Sequence, residues 1–396
     1  MLGQTDTRGV YIGSLDGGPS TRALSFEAET SYAAGHLLFV NQGVLLARPF
    51  DPVRGVATGE PFPVGQVGTE VAVGRGGFSV SDAGVLAIRS GTAARRQIAW
   101  VDRAGTIGDV VVSTEASALS NVELARNAKR FSFNRQLQGN SDVWLIDIPS
   151  QIQHRLTSDT AVDAGAVWAP DGNRLVFRSS RNGKYDLFEK PANGATDEHP
   201  LLVTDQDKSP QDWSLDGKFL LYATQDPKTE SDLWVLPLDG ARKPFPVAQT
   251  SFDEVHGQIS PDGRWLAYAS NETGRYEIYV QAFPKATGKQ PVSTGSGIYP
   301  RWRSDGRELY YATLDNYLVA VPIQSSTDGA AFNAGSPRLL FAIRMSPSGT
   351  VGIAGALSKA QYAVAPDGRF LMLLNAADTV NFPINIVLNW PAALHR

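Results

Sequence analysis

The chain of 396 residues contains no cysteine. Disulfides, thiolate-bound zinc, iron–sulfur clusters and thiol nucleophiles are excluded at once. Excess charge of either sign is missing too: 36 Lys and Arg face 40 Asp and Glu, for a net charge of −4. The basic residues are scattered, with no run of the kind that neutralises phosphates, so no nucleic-acid partner is expected. No stretch of 18 apolar residues occurs, so no membrane-spanning helix is expected. The first residues, Met1-Leu2-Gly3-Gln4-Thr5, lack the basic start and apolar stretch of a secretory signal. Standard catalytic signatures fail in turn: there is no Gly-x-Ser-x-Gly, no His-Glu-x-x-His, no phosphate loop and no dinucleotide fingerprint.

What is present is repetition. A short apolar strand, a turn of the form Ser-Pro-Asp-Gly and a second apolar strand recur along the chain. The clear copies turn at Asp171-Gly172, Asp216-Gly217, Asp262-Gly263, Asp305-Gly306 and Asp367-Gly368. Weaker copies turn at Asn127-Ala128, Ser81-Asp82-Ala83-Gly84 and Ala34-Gly35, which makes eight units. Asp-Gly supplies the positive φ of a tight hairpin, and the flanking aliphatic and aromatic runs read as strands. A third strand headed by an acid follows the hairpin, at Asp142, Asp186, Asp232 and Glu277, always 15 or 16 residues past the turn residue. A fourth strand completes each unit, as at Leu201-Leu202-Val203. Four antiparallel strands repeated radially are the blades of a propeller, and a blade buries its faces only within a closed ring.

The expected fold is therefore all-β: a β-propeller of about eight four-stranded blades, or a six- or seven-bladed ring with extra N-terminal units. Residues 1–396 read as one domain. Both chain ends are out of phase with the repeat, so residues 10–24 are expected to close the ring with the last blade, 360–390. The region from Gln324 to Ser358 reads as a long loop or an irregular blade edge. Trp168, Trp213 and Trp302, at one place in the repeat, are expected to pack between blades. The turn aspartates are expected to bond their own turn backbone rather than a cation.

The repeat resembles the TolB-like, WD-like propeller units of bacteria, whose hallmark is the Ser-Pro-Asp-Gly turn. More narrowly, residues 10–17, 35–40, 46–51, 100–105 and 387–390 resemble the C-terminal propeller of bacterial Ser/Thr protein kinases. No kinase motif is present, so kinase activity is not carried over. The resemblance implies an extracytoplasmic, periplasmic domain. The start in mid-repeat suggests a fragment or a shortened gene.

Candidate chemistry gathers where the first strands of all blades would converge on a central channel. Counting back from the turn residue, the position six earlier is Asn121, Gly165, Pro210, His256, Tyr299 or Gln361. Two further on are Glu123, Asp212, Gln258 and Arg301, and two earlier are Asp163, Lys208, Glu254 and Lys359. Glu254 and His256 are the candidate catalytic pair. Asn121, Asp212, Gln258, Tyr299 and Arg301 are the candidate ligand-binding residues. Asp163, Glu254 and His256 are candidate ligands of a divalent cation, calcium by oxygen-rich ligation, or zinc or manganese through the imidazole. The first functional expectation is a monomeric sensor or scaffold binding a small molecule or peptide in a polar channel. The second is a metal-dependent hydrolase of phosphotriesters, lactones or esters, in which the cation polarises the scissile group. Arg301 and Lys208 could instead balance the carboxylates internally.

Overall fold

The computed structural model describes residues 9–13, 17–25, 28–41, 43–67, 69–70, 75–89, 96–114, 119–137, 139–325, 332–343, 359–376 and 384–395. The chain divides into two compact units, one of residues 1–95 with 376–396 and the other of residues 96–375.

The second unit carries six of the eight repeats as six sheets. Blade 1 is Leu119–Leu124, Arg130–Leu137, Asn140–Asp147 and Ile152–Arg155. Blade 2 is Asp163–Trp168, Arg174–Ser179, Asp186–Pro191 and His199–Leu202. Blade 3 is Lys208–Trp213, Phe219–Asp226, Glu230–Pro237 and Phe245–Ala248. Blade 4 is Glu254–Ile259, Trp265–Ser270, Glu277–Ala282 and Gln290–Pro291. Blade 5 is Ile298–Trp302, Glu308–Ala312 and Tyr317–Ser325, with Arg338–Ala342 and Phe332–Ala334 both paired to the third strand. Blade 6 has Tyr362–Val364 inside, then Phe370–Asn375, Arg96–Val101 and Ile107–Thr114. Each first strand touches the first strand of the next blade, and that of blade 6 touches that of blade 1, so the ring is closed.

The closing clasp differs from the one expected. Blade 6 is completed by Arg96–Val101, paired with Phe370–Asn375 without a break from Arg96↔Asn375 to Val101↔Phe370. Its outer positions are thus filled by residues that begin the unit, and no hydrogen-bonding edge of Phe370–Asn375 is left for residues 10–24. Val10–Ile12 and Thr21–Leu24 pair with each other instead. The last strand, Ile384–Leu388, pairs with Val85–Arg89. The two strands that close this unit are Arg96–Val101 and Phe370–Asn375.

The first unit holds the remaining two hairpins. Thr30–Ala33, His36–Asn41, Val44–Asp51 and Phe62–Gln66 form one sheet, and Phe78–Val80, Val85–Arg89 and Ile384–Leu388 another.

The repeat chemistry explains why the ring holds. Trp168, Trp213 and Trp302 are buried in apolar clusters shared with the preceding blade. Two of them also reach back across the blade boundary: Trp168 Nε1 donates to the Glu123 carbonyl and Trp302 Nε1 to that of Gln258, each at 3.1 Å. The turn aspartates accept from the backbone two residues on, as Asp171 does from Asn173 and Asp305 from Arg307, which is the local role expected of them.

Candidate functional site

The six first strands run along the centre of the ring, and those of blades 1 to 5 carry an irregularity just past the head. Pairing skips from Ser120 to Glu123, Ala164 to Val167, Pro210 to Asp212, Val255 to Gln258 and Ile298 to Arg301. At the skipped position Asn121, Gly165, His256 and Tyr299 all take positive φ, between 56° and 67°. A bulge re-aims the side chains around it. It divides each strand into a head and a turn-side end with different fates.

The heads are tied into the fold. Asp163 is fully buried and accepts from Arg181 Nη2 at 3.4 Å, while burial pushes its carboxyl above the usual range. Lys208 forms a buried ion pair with Asp186, the third-strand acid of blade 2, at 3.0 Å and also donates to Thr204. Glu254 accepts from the Thr250 amide at 3.0 Å and its hydroxyl at 2.5 Å. Burial, with Asp232 adding to it, pushes the Glu254 carboxyl up to about 7. The third-strand acids act in the same layer: Asp142 pairs with Arg155 at 2.8 Å, and Glu277 accepts from the Gly295 amide.

His256 is buried against Tyr299, with ring centroids 4.2 Å apart. Burial, then the nearby Arg301, pushes its imidazole down to about 3, so it stays neutral. Asn121 Nδ2 donates to Asn134 Oδ1, and Asn134 in turn donates to the Asp163 carbonyl, a structural link between blades 1 and 2. The Tyr299 carbonyl accepts from the Tyr362 hydroxyl at 2.8 Å. Among the described residues no three His, Asp or Glu side chains come together as a metal-holding group. Asp163 and Glu254 each keep polar partners of their own, and His256 packs on Tyr299.

The turn-side ends do converge. A cavity of about 70 Å³ is lined by Glu123 and Arg126 of blade 1, Asp212 of blade 3, Gln258 of blade 4, Arg301 and Ser304 of blade 5, and Ala363 of blade 6. Arg301 bonds Glu123 across the channel at 2.9 Å, and Lys359 stands 3.6 Å from the same carboxylate. Arg126 reaches Asp212 at 3.2 Å. Asp212 further accepts from the Ile259 and Trp213 amides, each at 2.8 Å, and burial raises its carboxyl. Gln258 Nε2 donates to the Gln211 carbonyl at 3.3 Å.

Of the residues expected to form a site, Asp212, Gln258 and Arg301 are therefore brought together at the turn-side mouth. Gln258 and Arg301 also meet His256, Tyr299 and Lys359 around a smaller void deeper in the channel. Asp163 and Glu254 line neither cavity. Arg126 and Ser304 escaped the sequence reading. A signal was there: both occupy the slot that holds proline in Ala169-Pro170-Asp171, Ser260-Pro261-Asp262 and Ala365-Pro366-Asp367.

Residues 95–241 match the family model described as the TolB beta propeller domain. Among solved structures, a putative TolB from Agrobacterium tumefaciens is 16% identical, with 72% of this chain and 99% of that chain covered and a TM-score of 0.56. TolB from Acinetobacter baumannii is 14% identical over 79% of this chain and 82% of that one, with a TM-score of 0.47. With the repeated Asp-Gly hairpins, the closed ring and the family match over residues 95–241 in agreement, residues 96–375 of this chain form a closed β-propeller similar in fold to TolB.

Proposed function

We propose that the protein is a binding propeller that takes a small molecule or a peptide end at the turn-side mouth of its channel. The carrying observation is convergence: polar side chains of blades 1, 3, 4 and 5 line one cavity, with an apolar wall from blade 6. Propeller channels are built by such convergence, and ligand pockets are concave sites with a few polar groups aimed inward. In this reading the protein acts as a monomer in an extracytoplasmic setting. The hydrolase alternative needs Asp163, Glu254 and His256 on one cation. It gains no support from contacts that give the two carboxylates separate partners and the imidazole an aromatic one.

A thermal-shift screen of small polar compounds and short peptides tests this reading, run in parallel on the wild type and on Ser304→Trp. Ser304 is exposed in its turn, so the indole narrows the mouth without entering the core. Compounds that raise the wild-type Tm are expected to leave the Ser304→Trp Tm unchanged. Equal shifts in both proteins would place binding elsewhere. Turnover of an ester, lactone or phosphotriester by wild type that Glu254→Gln abolishes would favour the hydrolase.

A further inference from the structure

Around the mouth and the smaller void behind it the charges do not balance, and the imbalance is the reverse of what a metal site needs. Arg126, Arg301 and Lys359 supply three positive charges from blades 1, 5 and 6, and Glu123 and Asp212 supply two negative ones. Both carboxylates are already committed. Asp212 accepts from Arg126, the Trp213 amide and the Ile259 amide. Glu123 Oε2 is shared between Arg301 and Lys359. The cations are less fully used. Arg301 is 6% exposed and donates through Nη2 to Glu123, while its Nε has no hydrogen-bond acceptor among the described residues. Lys359 is 5% exposed and donates to the Ala166 carbonyl. Burial pushes its ammonium down to about 8, with Glu123 and Asp212 opposing the shift and Arg301 and Arg178 adding to it. Buried guanidinium N–H groups cost free energy until they meet an acceptor.

We propose that the turn-side mouth binds an oxyanion, a carboxylate or a phosphate group, between Arg301 and Arg126, with Lys359 behind them. This rests on the channel-binding reading above and adds the chemical class of its ligand. Arg301 lines the cavity and its Nε has no acceptor among the described residues, and guanidinium forks match planar carboxylates and phosphates. Arg126, whose side chain is 35% exposed, reaches it from the solvent side. Gln258 and the Ser304 hydroxyl complete the lining with neutral donors. The ring thereby selects an anionic end of a ligand and disfavours a free divalent cation.

Trp302 is a built-in reporter, because it lines the cavity and its indole N–H donates to the Gln258 carbonyl. Its ¹⁵N–¹H indole resonance, assigned with Trp302→Phe, is followed while full-length protein is titrated at constant ionic strength with succinate, inorganic phosphate or uncharged succinamide. A saturable shift with succinate, phosphate or both is expected, and none with succinamide. Preference between the two anions identifies the source of the oxyanion. Arg301→Gln is expected to weaken that binding at least tenfold. Arg126→Gln weakens it as well and serves if Arg301→Gln does not fold. Succinamide shifting the resonance as strongly as succinate overturns the inference and leaves the mouth a neutral-ligand site. Anion shifts of unchanged affinity in both variants, or no shift with any compound, also overturn it. The Ser304→Trp screen judges the channel itself independently.

Discussion

The head and the turn-side end of one inner strand lie only a few residues apart, yet they do different work. At the heads of blades 2 to 4, side chains bond to residues of their own or the preceding blade, as Lys208 does to Asp186 and Asp163 to Arg181, whereas Lys359 at the head of blade 6 reaches across the ring to Glu123. At the turn-side ends they point into a shared cavity and bond across the ring, as Arg301 of blade 5 does to Glu123 of blade 1. The bulge between them is what lets one strand serve both purposes. Polar residues at a channel are thus not one population. Those at the heads of blades 2 to 4 are fastenings of the fold, and those at the turn-side ends line the cavity in which we propose that a ligand binds.

The sharpest way to break this comparison is to remove a head. Lys208→Met leaves Asp186 buried without its cation, and such a loss costs about 3–5 kcal/mol. Chemical denaturation reads it directly, and a cost below about 1 kcal/mol would deny the heads a structural role. Trp168→Ala removes a buried indole between blades 1 and 2, also for roughly 3–5 kcal/mol.

Two further variants sharpen the comparison through pH. Glu254 titrates at about 7 in the fold against 4.5 unfolded, so its neutral form stabilises fully below about 4.5 and that stabilisation is lost as pH rises through 7. His256 has the opposite sign: its pKa falls from 6.5 to about 3, so stability is lost as pH falls through that window. Each contributes a slope of at most about 1.4 kcal/mol per pH unit, and in the wild type the two oppose each other between 4.5 and 6.5. Glu254→Gln should therefore gain stability from pH 4.5 to 6.5, while His256→Asn should lose it over the same range. Parallel slopes for the two variants would contradict the assignment. The smallest effect is expected at the mouth, where Ser304→Ala should stay within about 0.5 kcal/mol of wild type.

The ring itself was legible in the sequence because Asp-Gly hairpins and third-strand acids recur at fixed spacing. All eight hairpins exist, but six close a ring and two join the other unit. That partition depends on which strands pair at long range, and the repeat says nothing of it: Arg96–Val101 joins Phe370–Asn375 across more than half the chain. The candidate site was half legible. Asp212, Gln258 and Arg301 were found by their distance from the turn. Asp163 and Glu254 share the central strands but face bonds to Arg181 and Thr250, a difference set by the bulge and invisible to a period of two.

The division between heads and mouth is tested most directly by one series of melting curves, with and without saturating succinate, on wild type, Glu254→Gln and Arg301→Gln. Succinate is predicted to raise the Tm of the wild type and of Glu254→Gln by the same amount and to leave Arg301→Gln unmoved. A succinate response that vanishes in Glu254→Gln and survives in Arg301→Gln would contradict the account, since it would put the ligand at the heads.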